Sequence, residues 1–178
     1  MSPMVRQPLT LEHGLLGYLQ QGPLHGYQIY QLICDPGGLK TVWRLKQAHV
    51  YALLARLEEA GYIAGAIQQQ EARPAKRVYT ITSSGEAAFH RWLETPVDTP
   101  RRMRQEFQIK LFFALRGNKE SMKNLIHQQL NVCRGWLEAQ QSLANQAPET
   151  EPFSTLLRQY RRGQIQATIT WLENIPID

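Results

Sequence analysis

The sequence predicts a mainly α-helical fold with one small β-hairpin, an α+β class. Apolar residues recur at spacings of three and four over most of the chain, as on one face of a helix. Residues 62–82 change to an alternating pattern on either side of a polar turn, as in two paired strands. Polar segments with prolines at 95–101 and 145–152 interrupt the helical pattern. The hairpin is therefore expected between helices, in the first half of the chain.

Three helices are predicted before the hairpin. The first covers residues 9–19, and the second covers 25–34 and ends at the Asp35-Pro36-Gly37-Gly38 break. Residues 41–43 form at most a short strand. The third helix, 46–60, has the clearest apolar stripe, which consists of Val50, Leu53, Leu54, Leu57 and Ala60.

The hairpin and the helix after it complete a characteristic order of elements. Strands are predicted at 62–67 and 77–82, with a turn at 71–75 between them. Ser83-Ser84-Gly85-Glu86 has the form of a capping box that opens the next helix. Three helices, a hairpin and a fourth helix are the arrangement of a winged helix-turn-helix. We therefore predict such a domain over residues 1–95.

Residues 96–178 are predicted to be all-helical. One helix covers 104–115, a long helix begins after Asn118, and Pro152 is well placed at the first position of the last helix. The apolar stripes of these helices suit packing on another helix. That helix can belong to the same chain or to a second subunit, and both can hold. We expect this region to be a dimerisation domain.

The composition excludes several classes of protein. The chain has 178 residues, is 43% hydrophobic and carries 20 Lys and Arg against 15 Asp and Glu, which excludes wholesale disorder, a collagen repeat and a disulfide scaffold. No run of about 18 uninterrupted apolar residues occurs, so no membrane span is expected. The first residues lack the apolar segment of a secretory signal, which favours the cytoplasm. Cys34 and Cys133 have no metal-ligand spacing around them and are expected to be reduced thiols.

The net charge of +5 becomes informative in short windows. Residues 36–57 contain no acidic residue and four basic ones, Lys40, Arg44, Lys46 and Arg56. Residues 72–85 contain no acidic residue and three basic ones, Arg73, Lys76 and Arg77. A surface that faces a polyanion such as nucleic acid needs windows of this kind. Basic stretches are also common on ordinary solvated surfaces.

The third predicted helix fits the role of a recognition helix, because the major groove of DNA admits one α-helix. Its face opposite the apolar stripe carries the small residues Ala48, Ala52 and Ala55, which would let the backbone approach the groove floor. Gln47 could hydrogen-bond a base edge and Tyr51 a phosphate. The alternative is that alanine is simply the best helix former and that Gln47 is a solvated surface residue.

Lys46, His49 and the hairpin turn provide further candidates for DNA contact. Lys46 puts a positive charge at the helix start, which is locally unfavourable unless an anion such as phosphate lies there. His49 lies at the edge of the apolar stripe, where a DNA contact and a partly buried packing role are both open. Charged hairpin turns often serve only solubility and protection of the strand edges. The three cations Arg73, Lys76 and Arg77 nevertheless favour phosphate contact.

Four stretches of the sequence resemble the PadR family of transcriptional regulators. They are LLGYLQQGPLHGYQIYQLI (15–33), VYALLARLEEAGYI (50–63), RPAKRVYTITSSGEAAFHRWL (73–93) and RQEFQIKLFFAL (104–115). The distinctive part is a tyrosine before L-x-x-L-E-x-x-G-[YLI]-I, followed by a basic R-P segment and Y-x-[IL]-T-x-x-G. The resemblance implies a dimeric DNA-binding repressor of the bacterial cytoplasm, with an extra C-terminal helical domain that joins the protomers.

The resemblance also implies DNA contacts from the third helix and the hairpin, or wing. By position these contacts carry over to Gln47, Ala48, Tyr51, Arg73, Lys76 and Arg77. The chain departs from the family at the start of the third helix, where Lys46 and Gln47 stand in place of the usual small hydroxylated residue. The preferred base sequence therefore does not carry over.

Some members of the family sense aromatic or other planar small molecules, which implies an effector here as well. The candidate pocket residues are aromatic, because their rings would stack on such a ligand: Trp92, Phe107, Phe112, Phe113 and Trp136. Aromatic residues at helical spacing are also common in cores and interfaces, so ordinary packing stays open.

The sequence offers little for catalysis. It contains no nucleotide-binding, serine-nucleophile or zinc-protease motif, and its five histidines lie singly. We therefore expect no enzyme, no cofactor and no metal site. The expected function is that of a homodimeric repressor that binds double-stranded DNA at a pseudo-palindromic operator and is released by a small-molecule effector. The alternative is a protein-interaction module that binds another regulator through its C-terminal helices without binding DNA.

Overall fold

The computed structural model describes residues 10–70, 73–146 and 151–176. In these ranges the elements follow in the order α1 (His13–Leu19), β1 (Leu24–His25), α2 (Gly26–Cys34), α3 (Gln47–Glu59), β2 (Ile63–Gln70), β3 (Arg73–Ile81), α4 (Ser83–Glu94), α5 (Glu106–Ala114), α6 (Lys119–Gln146) and α7 (Pro152–Glu173). A short 3-10 helix, Arg102–Arg104, precedes α5. This order confirms the predicted fold class, a winged helix-turn-helix followed by helices.

The sheet has a third strand that the sequence pattern does not reveal. β1 pairs antiparallel with β3 through Leu24 opposite Tyr79 and His25 opposite Val78, so the strand order is β1-β3-β2. A strand of two residues is too short to show an alternating pattern. Residues 41–43, the other stretch considered as a strand, lie in turn and irregular backbone instead.

The hairpin is longer than the sequence predicts. β2 and β3 pair from Ile63 opposite Ile81 to Gln70 opposite Arg73, with an irregularity between Gln68 and Gln70. The ladder therefore takes in residues 73–75, which the sequence assigns to the turn. Of that predicted turn, residues 71–72 lie outside the described residues.

α3 buries the stripe that the sequence predicts. Val50, Leu54 and Leu57 are fully buried, Leu53 is half-buried, and Ala60 lies just beyond the helix and is exposed. Full burial of an aliphatic side chain of this size stabilises a fold by about 1.5–3 kcal/mol. The stripe therefore fixes the orientation of α3 about its own axis.

The winged-helix part and the C-terminal helices share one core. The cluster of buried apolar side chains that contains Leu54 also contains Phe107 of α5, Leu125 of α6 and Ile169 of α7. α5 packs against α1 and α4 as well as against α6. This continuous core joins the two parts of the chain. The predicted division into two domains between residues 95 and 96 stays a prediction.

The start of α4 is capped by Thr82 rather than by Ser83. Thr82 Oγ1 accepts a hydrogen bond from the Gly85 N–H at 3.1 Å. A Cβ atom at Gly85 would lie 2.0 Å from the Tyr62 carbonyl oxygen, so the first turn of α4 approaches the segment before β2 very closely. The N-cap thus lies one residue before the predicted one. The reciprocal bond of the predicted capping box is not made, because the N3 residue is Gly85, which has no side chain.

The two long C-terminal helices begin where the sequence predicts. Asn118 Oδ1 accepts a hydrogen bond from the Glu120 N–H at 2.8 Å at the start of α6. Pro152 lies in the first turn of α7, and the Glu151 carboxylate before it accepts from the Ser154 N–H at 3.0 Å. These side chains satisfy amides that have no partner within the helix.

The segment between α4 and α5 is anchored to α6 by one glutamine side chain. The Val97 N–H donates to Gln129 Oε1 at 2.7 Å, and Gln129 Nε2 donates to the Val97 carbonyl oxygen at 3.1 Å. Gln129 is 0% exposed and Val97 is 1% exposed, so water does not replace these bonds. The predicted linker at 95–101 is therefore attached to the helical part through Val97, while most of its other residues are exposed.

The described residues also bear on metal and membrane binding. Both cysteines are free thiols, with Cys34 half-buried and Cys133 buried. In the described ranges, no three His, Cys, Asp or Glu side chains lie together as metal ligands would. None of the helices described there is both long enough and apolar enough to cross a bilayer.

Replacing Gln129 should lower the stability of the whole fold. In Gln129→Leu, the Val97 N–H and C=O lose their partners while they stay buried. We expect the free energy of unfolding to fall by roughly 2–3 kcal/mol, because each unsatisfied buried polar group costs about 1–3 kcal/mol. Urea unfolding followed by circular dichroism measures the change. The matched control is Gln128→Leu at the exposed neighbouring position of α6; equal loss in both variants would contradict the anchor.

Candidate nucleic-acid interface

α3 presents a continuous exposed face of small and polar side chains. Gln47, Ala48 and His49 in its first turn are exposed, and so is Tyr51. Ala52 and Ala55, the other small residues of this face, are exposed as well. Of the two roles considered for His49, exposure favours the surface role over partly buried packing.

Tyr51 is held against the start of α2. A Cβ atom at Gly26 would lie 2.5 Å from Tyr51 Cε1, so the ring rests on the bare backbone of that glycine. The tyrosine remains 40% exposed. Its ring is thus positioned by packing while part of the side chain stays accessible.

The start of α3 is electropositive. Lys46 is the N-cap residue with an extended backbone, and its side chain makes no capping hydrogen bond. The free amides of a helix N-terminus already carry partial positive charge. Lys46 is exposed, as are Lys40 and Arg44 in the preceding loop. Within the described part of the chain, no carboxylate lies within ion-pair distance of these three cations.

The predicted wing residues have different surroundings. Lys76 is exposed and lies opposite Gln68 in the hairpin. Arg77 is exposed as well, but its Nη2 donates to Glu58 Oε1 at 2.7 Å. The backbone of Arg73 pairs with Gln70, and its side chain lies outside the described residues. Lys76 is therefore the wing cation whose side chain is both described and exposed without such a bond.

The aromatic residues predicted for a ligand pocket do not line one common cavity among the described residues. Trp92, Phe107 and Phe113 are buried in the core. Phe112 is half-buried, and the Arg116 guanidinium lies 3.6 Å from its ring centroid. Trp136 is half-buried and lines a cavity of about 680 Å³.

The cavity beside Trp136 lies among the C-terminal helices and the segment before α5. Trp171 of α7 also lines it, together with the arginines Arg101, Arg104 and Arg161. A space lined by indole rings and guanidinium groups suits a planar or anionic small molecule. Of the aromatic residues predicted for a ligand pocket, Trp136 is the one that lines this cavity.

Trp92 instead belongs to a buried polar cluster at the junction of α4 and α5. Its Nε1–H donates to Glu106 Oε1 at 3.1 Å, and Lys110 Nζ lies 3.4 Å from the same oxygen. Lys110 is 2% exposed and also donates to the Thr95 carbonyl oxygen at 2.6 Å. Burial lowers the pKa of Lys110, while Glu106 counteracts this. Sequence reasoning missed this pair, because a Glu and a Lys four residues apart normally indicate an exposed helix face.

His13 closes this cluster from the side of α1. Its ring lies nearly parallel to that of Trp92, with centroids 5.9 Å apart. Burial lowers the pKa of His13, and Lys110 acts in the same direction. A hydrogen bond with the Thr10 carbonyl and the charges of Glu12 and Glu106 oppose this shift.

Comparison with known proteins finds a matching family for each of the two parts of the chain. Residues 15–91 match the Transcriptional regulator PadR-like family, and residues 103–175 match the family described as Virulence activator alpha C-term. The winged-helix part of the chain is thus similar to the PadR-like family of transcriptional regulators. The first match spans the described winged helix from α1 into α4, and the second spans the C-terminal helices.

Individual relatives resemble this chain over most of its length. The Negative transcriptional regulator PadR of Bacillus subtilis is 28% identical over 146 residues, which are 82% of this chain and 79% of that protein. The crystal structure of Bacillus subtilis PadR in complex with operator DNA is 26% identical and has a TM-score of 0.47, with 94% of this chain and 99% of that chain covered. The crystal structure of the same protein in complex with p-coumaric acid is 24% identical and has a TM-score of 0.41, with 92% and 91% covered.

The surroundings of His13 predict a pH dependence of stability. Because burial lowers its pKa below the ordinary value of 6.5, the unfolded chain takes up a proton more readily than the folded one. This contribution to stability is fully present above about pH 6.5 and is lost as the pH falls from there towards the pKa of folded His13.

The variant His13→Phe should show a smaller loss of stability on acidification. Phenylalanine keeps a ring against Trp92 but cannot be protonated. Urea unfolding at a series of pH values from neutral to mildly acidic measures the slope in both proteins. An identical slope in wild type and variant would rule out His13 as its source.

Proposed function

We propose that this chain is a transcriptional repressor that binds double-stranded DNA as a homodimer at a pseudo-palindromic operator. The observation that carries the proposal is the exposed, alanine-lined face of α3, which begins at an electropositive helix start. The match of residues 15–91 to the PadR-like family of transcriptional regulators supports it, and so does the description of the Bacillus subtilis relative as a negative transcriptional regulator. The finer claims, that the chain has no enzymatic activity and acts in the cytoplasm, are part of this proposal.

α3 is proposed to enter the major groove with its first two turns. The groove is about 12 Å wide and admits one helix. Ala48 allows a close approach and its methyl group can meet a thymine methyl, while Gln47 hydrogen-bonds a base edge. Lys46 and the Tyr51 hydroxyl contact phosphates, and His49 lies exposed beside them.

The wing is proposed to contact the phosphate backbone beside the groove. Lys76 supplies an exposed ammonium group for this role, and Arg73 is assigned to it by the pattern of the sequence. Such contacts release counterions, so binding should weaken steeply as salt rises. Arg77, whose guanidinium is engaged by Glu58, has surroundings that point to another role.

A homodimer is supported by an apolar stripe that α7 leaves exposed. Phe153, Leu156, Tyr160 and Trp171 are 67%, 64%, 58% and 43% exposed. Their spacing puts them on one side of α7, whereas Ile165, Ile169 and Leu172 are buried. Exposed apolar side chains that share one side of a helix in this way are typical of interaction surfaces. A two-fold dimer would present two recognition helices to half-sites about 10–10.5 base pairs apart.

A small-molecule effector that releases the operator stays a prediction. We propose the cavity lined by Trp136 and Trp171 as its site, because Trp92 and Phe107 are enclosed in the core and leave no room for a ligand. Trp171 belongs both to this cavity and to the exposed stripe of α7. A ligand in the cavity would therefore contact a residue of the proposed subunit interface.

Two substitutions should affect DNA binding in different ways. Lys76→Ala should weaken binding to all fragments alike and should reduce the slope of log K against log salt by about 1.8, because the dimer loses one phosphate contact from each of its two wings. Gln47→Ala should instead change which fragments are preferred. Selection of bound fragments from the source genome, followed by fluorescence anisotropy over a range of salt concentrations, measures both. Absence of salt-sensitive binding by the wild type would overturn the proposed function and favour the protein-interaction module.

Placing a charge in the exposed stripe of α7 should dissociate the dimer. Leu156→Glu puts a carboxylate into the proposed interface without touching the buried side of the helix. We expect the dissociation constant of the dimer to rise by tenfold or more, since burial of an unpaired charge costs several kcal/mol. Sedimentation equilibrium measures it, with Gln159→Glu at an exposed position of the same helix as the control. A monomeric wild type would contradict the dimer.

A further inference from the structure

The base of the wing is tied to the last turn of α3 by a single carboxylate. Glu58 Oε1 accepts one hydrogen bond from Arg77 Nη2 at 2.7 Å and a second from the Gly65 N–H at 3.0 Å. Gly65 belongs to β2 and Arg77 to β3, so one oxygen of α3 holds both strands of the hairpin. We call these three residues the wing clamp.

Because Gly65 has no side chain, it leaves the space that the Glu58 carboxylate and the Arg77 guanidinium occupy. A Cβ atom at Gly65 would lie 2.5 Å from Arg77 Nε and 2.8 Å from Glu58 Oε1. It would also lie 3.2 Å from Cε1 of Tyr79, the residue that pairs with Gly65 in the sheet. The guanidinium and the carboxylate therefore lie directly over the backbone of β2, where any larger residue would displace them.

The chain between α3 and β2 is short and is held from a second side. Gly61 has a φ of 74°, which favours glycine, and its carbonyl oxygen accepts hydrogen bonds from the hydroxyls of Thr82 and Ser84 at 2.8 and 2.9 Å. These bonds fix the turn itself. The wing clamp holds both strands beyond this turn, at Gly65 and Arg77. It therefore fixes the direction in which the hairpin leaves the turn.

Arg77 is poorly suited to contact phosphate directly. Its guanidinium already pairs with a carboxylate, which offsets its charge. Glu58 also lies eleven residues beyond Gln47 on α3, or about 16 Å along the helix axis from the end that we assign to the groove. Lys76, which is exposed and lies on the other face of the strand, has neither restriction.

We propose that Glu58 and Arg77 are positioning residues for DNA binding, because their bond holds the wing at the angle to α3 at which both elements reach one duplex. The inference rests on the proposed DNA-binding function. It gives Arg77 a role through the wing rather than a phosphate contact of its own. It also assigns a role to Glu58, an acid whose charge alone would repel DNA.

The sign of the effect of Glu58→Ala on DNA affinity tests the proposal. Removing a negative charge near a polyanion would by itself tighten binding. If the wing clamp positions the wing, Glu58→Ala should instead weaken binding of a selected operator fragment by about tenfold, within the range of coupling energies for residues in one network. Arg77→Ala should weaken it by a similar factor, and the double variant should be no weaker than either single variant. Fluorescence anisotropy at fixed salt measures all three.

Conservative and control variants separate positioning from charge and from folding. Glu58→Gln keeps an acceptor oxygen for both donors and should lose less affinity than Glu58→Ala. Glu94→Ala removes an exposed carboxylate from α4 and should not weaken binding. Thermal unfolding should show all variants folded at the assay temperature. Hydrogen exchange of the Gly65 amide in the free protein should speed up in Glu58→Ala and stay unchanged in Glu94→Ala.

Two results would overturn the proposal, and they can be told apart from failure of the proposed function. If the wild type binds and Glu58→Ala binds equally or more tightly while Arg77→Ala is weaker, Arg77 contacts phosphate and Glu58 merely offsets its charge. If the losses in Glu58→Ala and Arg77→Ala add in the double variant, the two residues act independently. Absence of binding by the wild type would remove the proposed function itself, and the positioning role with it.

Discussion

The surface that this protein offers depends on the burial of Val50, Leu54 and Leu57. Because α3 has 3.6 residues per turn, a rotation by one position would bring a leucine to the surface and cost several kcal/mol. The core thus keeps Ala48 and Ala52 outward and leaves no alternative orientation of the helix. The burial of the apolar stripe therefore decides which side chains of α3 are available for contact with a partner.

The rest of the winged helix is arranged around the two ends of α3. Its start is exposed and electropositive, whereas its last turn is bonded to the wing through Glu58. At the other side of the core, Glu106 and Lys110 form a buried ion pair, and the Glu106 carboxylate also accepts a hydrogen bond from the Trp92 indole N–H. A buried ion pair contributes little net stability, because desolvation offsets the attraction. Its geometry is nevertheless specific, and this pair fixes how α5 lies against α4.

The candidate site was predictable to the extent that it lies on one helix. The positions of Gln47, Ala48 and Tyr51 follow from the period of α3, and their exposure agrees with it. The bond between Arg77 and Glu58 could not be predicted, since it joins residues nineteen apart across the hairpin. The arrangement of the predicted aromatic residues could not be derived from the sequence for a related reason. Trp92 and Trp136 have the right chemistry, but they are on different helices whose packing decides that one is enclosed and the other lines a cavity.

The sequence itself determined the order of the helices and the hairpin. It also determined where α6 and α7 start and which face of α3 is exposed. Periodicity, capping and turn residues act over a few positions, so they can be interpreted without knowing where distant segments lie. Only the tertiary structure decided the pairing of β1 with β3, the anchoring of Val97 by Gln129 and the burial of Lys110. Each of these depends on contacts between elements, and whether a polar side chain finds a buried partner there is settled by packing rather than by its neighbours in the chain.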